Sequence, residues 1–429
     1  MLSPIGSIFT PLAPSELSTF WPILLQGGMV AVALGLIGCF LVVRGLSLLG
    51  DALSHAVLPG IVIGFLVAAR FGEASLHSPW ILVGASAVGL LAAALVQAVH
   101  GQSRVKEDAS LGIVFTTLFA AGVVMINVYA GQADLDPNCV LYGNIEYFVL
   151  HALDGPGAFV PMACILAGIL AALVVFYRPL LITTFDPALA VSMGISAAAV
   201  HYVTMGVLSL TVVASFEAVG AILAVALLVM PGATARLWTD RLPVMLLLAA
   251  AHGLLATALG YWLSHEAVLN TSAAGAICTA GFALFLASWL ASPHRGLVTR
   301  WVARRRMNET IATENLLKTI MEFGGTVDDR GLAEATRTAP RKQAAAIKRG
   351  VVKGWVITGA SGHSLTDAGR ARAHRLQHAH ELWEQYLRDH VGLPADHVHD
   401  AAEWIEHHLS DESVETIGAE LGGAGAVRQ

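Results

Sequence analysis

Charge is scarce in this chain. Asp, Glu, Lys and Arg make up 13% of its 429 residues, against about 25% in ordinary soluble domains. Hydrophobic residues make up 55%, and the mean hydropathy is +0.66. Those values exclude an ordinary soluble globular protein. Cysteine is equally sparse. Cys39, Cys139, Cys164 and Cys278 stand far apart with no CxxC, which argues against a disulfide framework or a cysteine metal site. No GxxxxGK[ST] occurs, so the chain has no phosphate-cradling loop and cannot hydrolyse ATP alone. The first 20 residues lack the basic start of a signal peptide. A net charge of −6 gives no global case for nucleic-acid binding.

What is present is a series of apolar segments near 21–43, 46–70, 80–100, 111–131, 157–177, 197–214, 217–235, 243–264 and 272–291. Most reach the ~20 residues a membrane-crossing helix needs. The segment 197–214 is short and fairly polar, so eight or nine spans are expected. The 42 glycines suit helices that pack closely in a membrane. Arg44, Arg104, Lys106, Arg178, Arg236 and Arg241 fall in alternate loops, which places those loops and the tail in the cytoplasm. Arg70 dissents. Loop 132–155, with Asp134, Asp136 and Glu146, is acidic and on the other side. It is either a solvated loop or a surface for a cation or a delivery protein.

Inside the second segment lies RGLSLLGDALSHAVLPG (44–60). Asp51 and His55 are four apart, so on a helix they share a face. Ionisable groups within a span are costly unless paired or solvated. Two readings stand. One is an Asp–His hydrogen bond joining helices. The other is a half-site for a divalent cation, since carboxylate plus imidazole suits manganese, iron or zinc. His201, Glu217 and His252 are further polar groups near spans. The histidines read as interhelical hydrogen-bonders and Glu217 as interfacial.

SLLGDALSHAVLPG resembles the signature of the membrane subunits of manganese, zinc and iron ABC importers. The resemblance implies that Asp51 and His55 contact the metal in transit. CVLYGNI (139–145) is similar to a further motif of that family, as is EAVGAILAVALLVMPGATARL (217–237), whose Pro231 and Gly232 are expected to break the helix. FDPALAVSMGI (185–195) resembles the cytoplasmic loop that meets the ATPase, with Phe185, Asp186, Pro187, Ala190 and Gly194 as its coupling residues. Pro187 suits a first helical turn and Gly194 a helix end; an ordinary connecting helix is the other reading. The resemblance covers most of 15–292. It implies a separate ATP-binding subunit, a second permease copy and an external metal-binding protein.

Beyond Arg295 the chain turns polar. RWVARRR, within 296–308, reads as a contact to anionic lipid headgroups. ENLLKTIMEF, DDRGLAEATRT and PRKQAAAIKRGVVKGW read as helices and VITGASGHSLT as a hairpin, the plan of a winged helix. Arg341, Lys342, Lys348 and Arg349 suit phosphate contacts, or a solvated face, or acidic protein or lipid. Farther on, His399, Glu403, Glu406 and His407 fall within one stripe ~80–100° wide on a helix, and His380 and Glu384 lie four apart on the helix before it. Either a metal site or a solvated charged face fits that pattern. HELWEQYLRDHVGLPADHVHDAAEWIEHHLSD (380–411) resembles the metal-binding and dimerisation segment of repressors related to the diphtheria toxin repressor. That implies His380, Glu384, His399, Glu403, Glu406 and His407 as regulatory ligands, with Glu403 leaning toward manganese. Asn315 and Lys318 depart from the pattern, because they occupy first-helix positions where the repressors carry ligands.

The expected architecture is thus an all-α polytopic membrane domain (1–295), a basic linker (296–308), a cytoplasmic winged-helix domain (309–365) and a helical metal-binding and dimerisation domain (366–429). The expected function is the permease of an ATP-driven importer of Mn2+ or Fe2+, with Zn2+ a third candidate, in the cell membrane. A metal-sensing tail would regulate it by feedback. A membrane-tethered, DNA-binding metal regulator and a secondary carrier are the alternatives.

Overall fold

In a bilayer every backbone N–H and C=O must find its partner inside the protein, and helices meet that demand within one segment. The computed structural model describes residues 14–72, 78–129, 145, 159–265, 268, 270–336, 338–359, 362–391, 393–394, 402–403, 405–407, 409 and 411–427. By its internal contacts the chain divides into two units, Met1–Thr299 and Arg300–Gln429.

The first unit contains α1 (Pro14–Arg44), α2 (Ser47–Ala56), α3 (Leu58–Arg70), α4 (Pro79–Gln102), α5 (Glu107–Tyr129), α6 (Val160–Val175), α7 (Tyr177–Phe185), α8 (Pro187–Ser192), α9 (Ala197–Trp238), α10 (Leu242–Ser264) and α11 (Ala273–Ala291). Among the described residues, eight helical stretches are long and apolar enough to cross a membrane; the pair α6–α7, bent by 77°, makes a ninth if counted as one span. The short segment near 197–214 is therefore a span in its own right, Ala197–Phe216. A second candidate span, Ala218–Trp238, follows within α9, and the helix is kinked near its start at Gly220 (φ 72°, ψ 168°). The helix does not break at Pro231 and Gly232, as the sequence predicts, but runs through them to Trp238. Proline removes one ladder bond, and in a membrane neighbouring helices make that loss tolerable.

The core of this unit joins α1 and α9 through Val30, Leu34, Leu41, Met205, Leu208, Leu223 and Leu228, all fully buried. Close approach of backbones substitutes for large apolar side chains between α3 and α4. A Cβ on Gly60 or Gly64 would run into the backbone of α4 at Trp80–Ala85, and one on Gly84 into Gly60. Dispersion between closely set backbones is what drives helix association where lipid is as apolar as leucine.

The second unit has α12 (Leu297–Glu322), β1 (Thr326–Val327), α13 (Asp329–Thr336), α14 (Pro340–Val352), β2 (Val356–Gly359), β3 (Gly362–Leu365), α15 (Asp367–Tyr386), a π-helical turn Leu387–Val391 and α16 (Asp411–Val427). Three helices and a hairpin follow in the predicted order. β1 is added, giving an antiparallel sheet ordered β1-β3-β2. Stretch 297–308, read from its charge as a linker, is helical and forms the first half of α12. Leu316, Leu317, Ile320, Val327, Leu332, Ile347, Val356 and Leu365 form the core. Thr366 caps α15 by accepting from Gly369 N at 3.0 Å.

Candidate functional site

The helix α2 is two-faced. Leu49, Gly50, Ala52, Leu53, Ser54 and Ala56 are buried, while Leu48, Asp51 and His55 form a stripe on the other side. The Asp51 side chain is 56% exposed and that of His55 36%. Nε2 of His55 lies 3.8 Å from Oδ1 of Asp51, too far for a hydrogen bond. The rings of Phe115 and Phe119, from α5, flank the imidazole at 6.4 and 5.6 Å between centroids. An Asp–His bond between two helices is therefore not what this pair forms: both groups share one helix and face outward from the single chain. Carboxylate and imidazole stand side by side, two ligand types that suit a borderline divalent cation and too few to complete its shell.

The loop that resembles an ATPase contact folds as its residues dictate. Asp186 caps α8, its Oδ1 accepting from Leu189 N at 2.9 Å. Pro187 lies in the first turn, and Gly194 leaves the helix at φ 78°, where a side chain would be strained. Ala190 is buried, whereas Phe185, Leu189, Val191 and Met193 are exposed. Sequence reasoning used Arg44 only for topology. In the structure it joins the two regions, because its guanidinium donates to Thr184 Oγ1 (3.1 and 3.3 Å) and Thr183 Oγ1 (3.4 Å) on α7. Arg44 ends α1 just before α2, and Thr184 precedes α8 by three residues. CVLYGNI lies outside the described residues except for the buried Ile145, as does loop 132–155. His252 is buried, and its Nε2 has no hydrogen-bond partner among the described residues, so that nitrogen makes no interhelical bond with them. His201 stacks edge-on with Tyr202.

In the tail, two buried carboxylates organise the candidate ligands. Glu406, 0% exposed, accepts from Lys318 Nζ at 2.8 and 3.1 Å and pairs with His380 Nδ1 at 2.6 Å. The other ring nitrogen of His380 meets Glu384 Oε1 at 3.0 Å. Glu314, 1% exposed, accepts from Arg372 at 2.6 and 3.0 Å and pairs with His407 Nδ1 at 2.8 Å. Burial raises the Glu314 carboxyl, but the bonds from His407 and Arg372 outweigh it and hold its pKa below the ordinary carboxylate value. Nε2 of His407 is 3.4 Å from Glu406 Oε1 without hydrogen-bond geometry, and Asn315 Oδ1 is likewise unpaired among the described residues. Glu403 is exposed, and His399 lies outside the described residues. Among the described residues, no three His, Cys, Asp or Glu stand as a set that could hold a metal. Glu314 and Arg372 were missed because a separation of 58 residues carries no sequence signal.

Arg341, Lys342 and Arg349 line one groove of about 1250 Å3 together with Trp301, Arg304 and Arg305. Lys348 is exposed and is not among its lining residues.

Comparison with known proteins agrees with these two units. Residues 366–424 match the family described as iron dependent repressor, metal binding and dimerisation domain. The manganese transport system membrane protein MntD of Bacillus subtilis is 42% identical over 284 residues, covering 65% of this chain and 94% of the relative. The zinc transport system membrane protein TroD of Treponema pallidum is 34% identical over 358 residues, covering 79% and 96%. The solved structure of PsaBC from Streptococcus pneumoniae in complex with Fab is 32% identical, with a TM-score of 0.55 over 66% of this chain and 94% of that one. Residues 17–292 match the family described as ABC 3 transport family, and the chain, an integral membrane protein, belongs to it.

Proposed function

We propose that this chain is the permease of an ATP-driven importer of a divalent transition metal, manganese foremost, with iron and zinc as the other candidates. The observation that carries this reading is the outward stripe of α2, where Asp51 and His55 stand side by side without bonding each other. Turned to lipid, such a pair would cost at least about 3 kcal/mol. Turned to a second copy across a passage, two such pairs would supply four ligands for one cation. Few ligands and modest affinity suit cargo that must leave again. The names of the relatives MntD and TroD, manganese and zinc transport proteins, support the metal class.

An ATPase subunit docks on α8, and an external metal-binding protein delivers the cation. The exposed apolar side chains Phe185, Leu189, Val191 and Met193 are a surface for that ATPase. The hydrogen bonds of Arg44 tie the end of α1, three residues before α2, to Thr183 and Thr184 on α7, which leads into α8. The tail lies in the cytoplasm, following the positive loops, and its repressor-like segment pairs the two copies. The test is uptake into vesicles reconstituted with the chain, its ATPase and its binding protein. ATP-dependent accumulation of manganese supports the reading; uptake indifferent to ATP points to a secondary carrier.

A second reading concerns the tail alone. The groove lined by Arg304, Arg305, Arg341, Lys342 and Arg349 is basic enough to contact phosphates of nucleic acid or lipid. Binding of duplex DNA by the full chain, set against vesicles of anionic lipid, separates the two.

A further inference from the structure

The resemblance of the tail to metal-dependent repressors makes a regulatory metal the natural expectation. The residues around Glu406 do not fit one. A transition-metal site needs lone pairs that converge. The first helix of this unit, α12, supplies instead the amide of Asn315 and the ammonium of Lys318. An ammonium has three N–H donors and no lone pair. It is held 2.8 Å from the carboxylate that would be the central ligand.

Among the described residues, the two most deeply buried carboxylates of the site are already opposed by positive charge. Glu314 and Glu406 are removed from water, and buried carboxylates are costly unless opposed by positive charge. Lys318 and Arg372 oppose them with two fixed positive charges, the charge a divalent metal would bring. Three contacts also tie the helices of this unit together. Lys318 joins α12 to the segment carrying Glu406, Arg372 joins α15 to α12, and His380 joins α15 back to Glu406. His380 has both ring nitrogens engaged by carboxylates. Among the described residues, what remains is one imidazole nitrogen of His407, the amide oxygen of Asn315 and an exposed Glu403.

We propose that Lys318 and Arg372 replace the regulatory metal, so that the helices of the tail are locked together permanently instead of in response to cytoplasmic metal. The tail then acts as a constitutive module of the importer, and feedback by metal does not pass through it. The lock concerns only residues of the second unit and is independent of the transport reading; that the tail serves an importer rests on that reading.

The test is amide hydrogen exchange on the full chain carrying Asp51→Ala and His55→Ala, which removes the proposed cargo ligands. Peptides covering 311–322 and 372–386 are compared in chelator and in excess manganese. The expected result is identical protection in both. Manganese-dependent protection of either peptide overturns the proposal. Lys318→Met tests the lock itself. Exchange in both peptides is expected to quicken severalfold in chelator, and unchanged exchange counts against the proposal. Asn315→Asp with Lys318→Glu restores lone pairs, and protection is expected to become manganese-dependent. If that double variant does not fold, the Lys318→Met comparison still decides.

Discussion

Arg44, the last residue of α1, donates from Nη2 to Thr184 Oγ1 at 3.1 Å. The bond spans 140 residues of sequence and ties the corner that starts α2 to the segment that leads into α8. Movement imposed on α8 by an ATPase would pass by this contact toward Asp51 and His55. Hydrogen bonds to a charged group contribute about 1.5–3 kcal/mol. Arg44→Met is therefore expected to lower manganese uptake severalfold while ATP hydrolysis by the assembled complex persists. Thr183→Val with Thr184→Val is expected to do the same more weakly. Parallel loss of both activities would mean that Arg44 serves assembly and not coupling.

Contact between α3 and α4 depends on glycine. A Cβ on Gly84 would meet the carbonyl of Gly60, and backbone cannot give way as a flexible side-chain tip can. Gly84→Val is expected to destabilise the membrane unit by about 1–3 kcal/mol, the usual penalty of overpacking. The check is thermal unfolding in detergent. Gly101→Val, in the same helix, is the control: a Cβ there meets nothing, and valine is no poorer a helix former than glycine, so no destabilisation is expected.

Arg372 and Glu314 give the tail its own signature. Removing one partner of a buried pair leaves a charge without compensation, at about 3–5 kcal/mol. Arg372→Met is expected to destabilise the second unit by an amount toward the lower end of that range, because Arg372 is partly exposed. The pH dependence has a definite sign. Glu314 has a pKa below the ordinary 4.5 when folded, so its contribution is complete above that value and is lost as pH falls through the folded pKa. Unfolding of the tail followed from neutral to acidic pH is expected to show that loss, and Arg372→Met to flatten it.

Much of this was legible in one dimension because membrane helices announce themselves by length. That Asp51 and His55 share a face follows from their spacing, their proposed role only from the resemblance, and Pro187 in a first turn with Gly194 at the helix end follows from residue type. Two features of the membrane unit were not legible. Nothing local marks Gly220 instead of Pro231 as the break in α9, since the outcome depends on what neighbouring helices accept. Likewise Arg44 reads as a topology marker until Thr184, far along the sequence, is brought beside it. In the tail, Lys318 was recognisable as a misfit for a metal. That it meets Glu406, and that Arg372 meets Glu314, required the packed helices.

The most direct measurement is manganese uptake by vesicles containing the chain with Asp51→Ala, matched for protein content and ATP hydrolysis to the unaltered chain. Changes to outer-shell groups already lower metal affinity by about 10–100-fold, so loss of a ligand is expected to cut uptake roughly tenfold or more, with His55→Ala acting in the same direction. Undiminished uptake by Asp51→Ala would contradict the account at its centre.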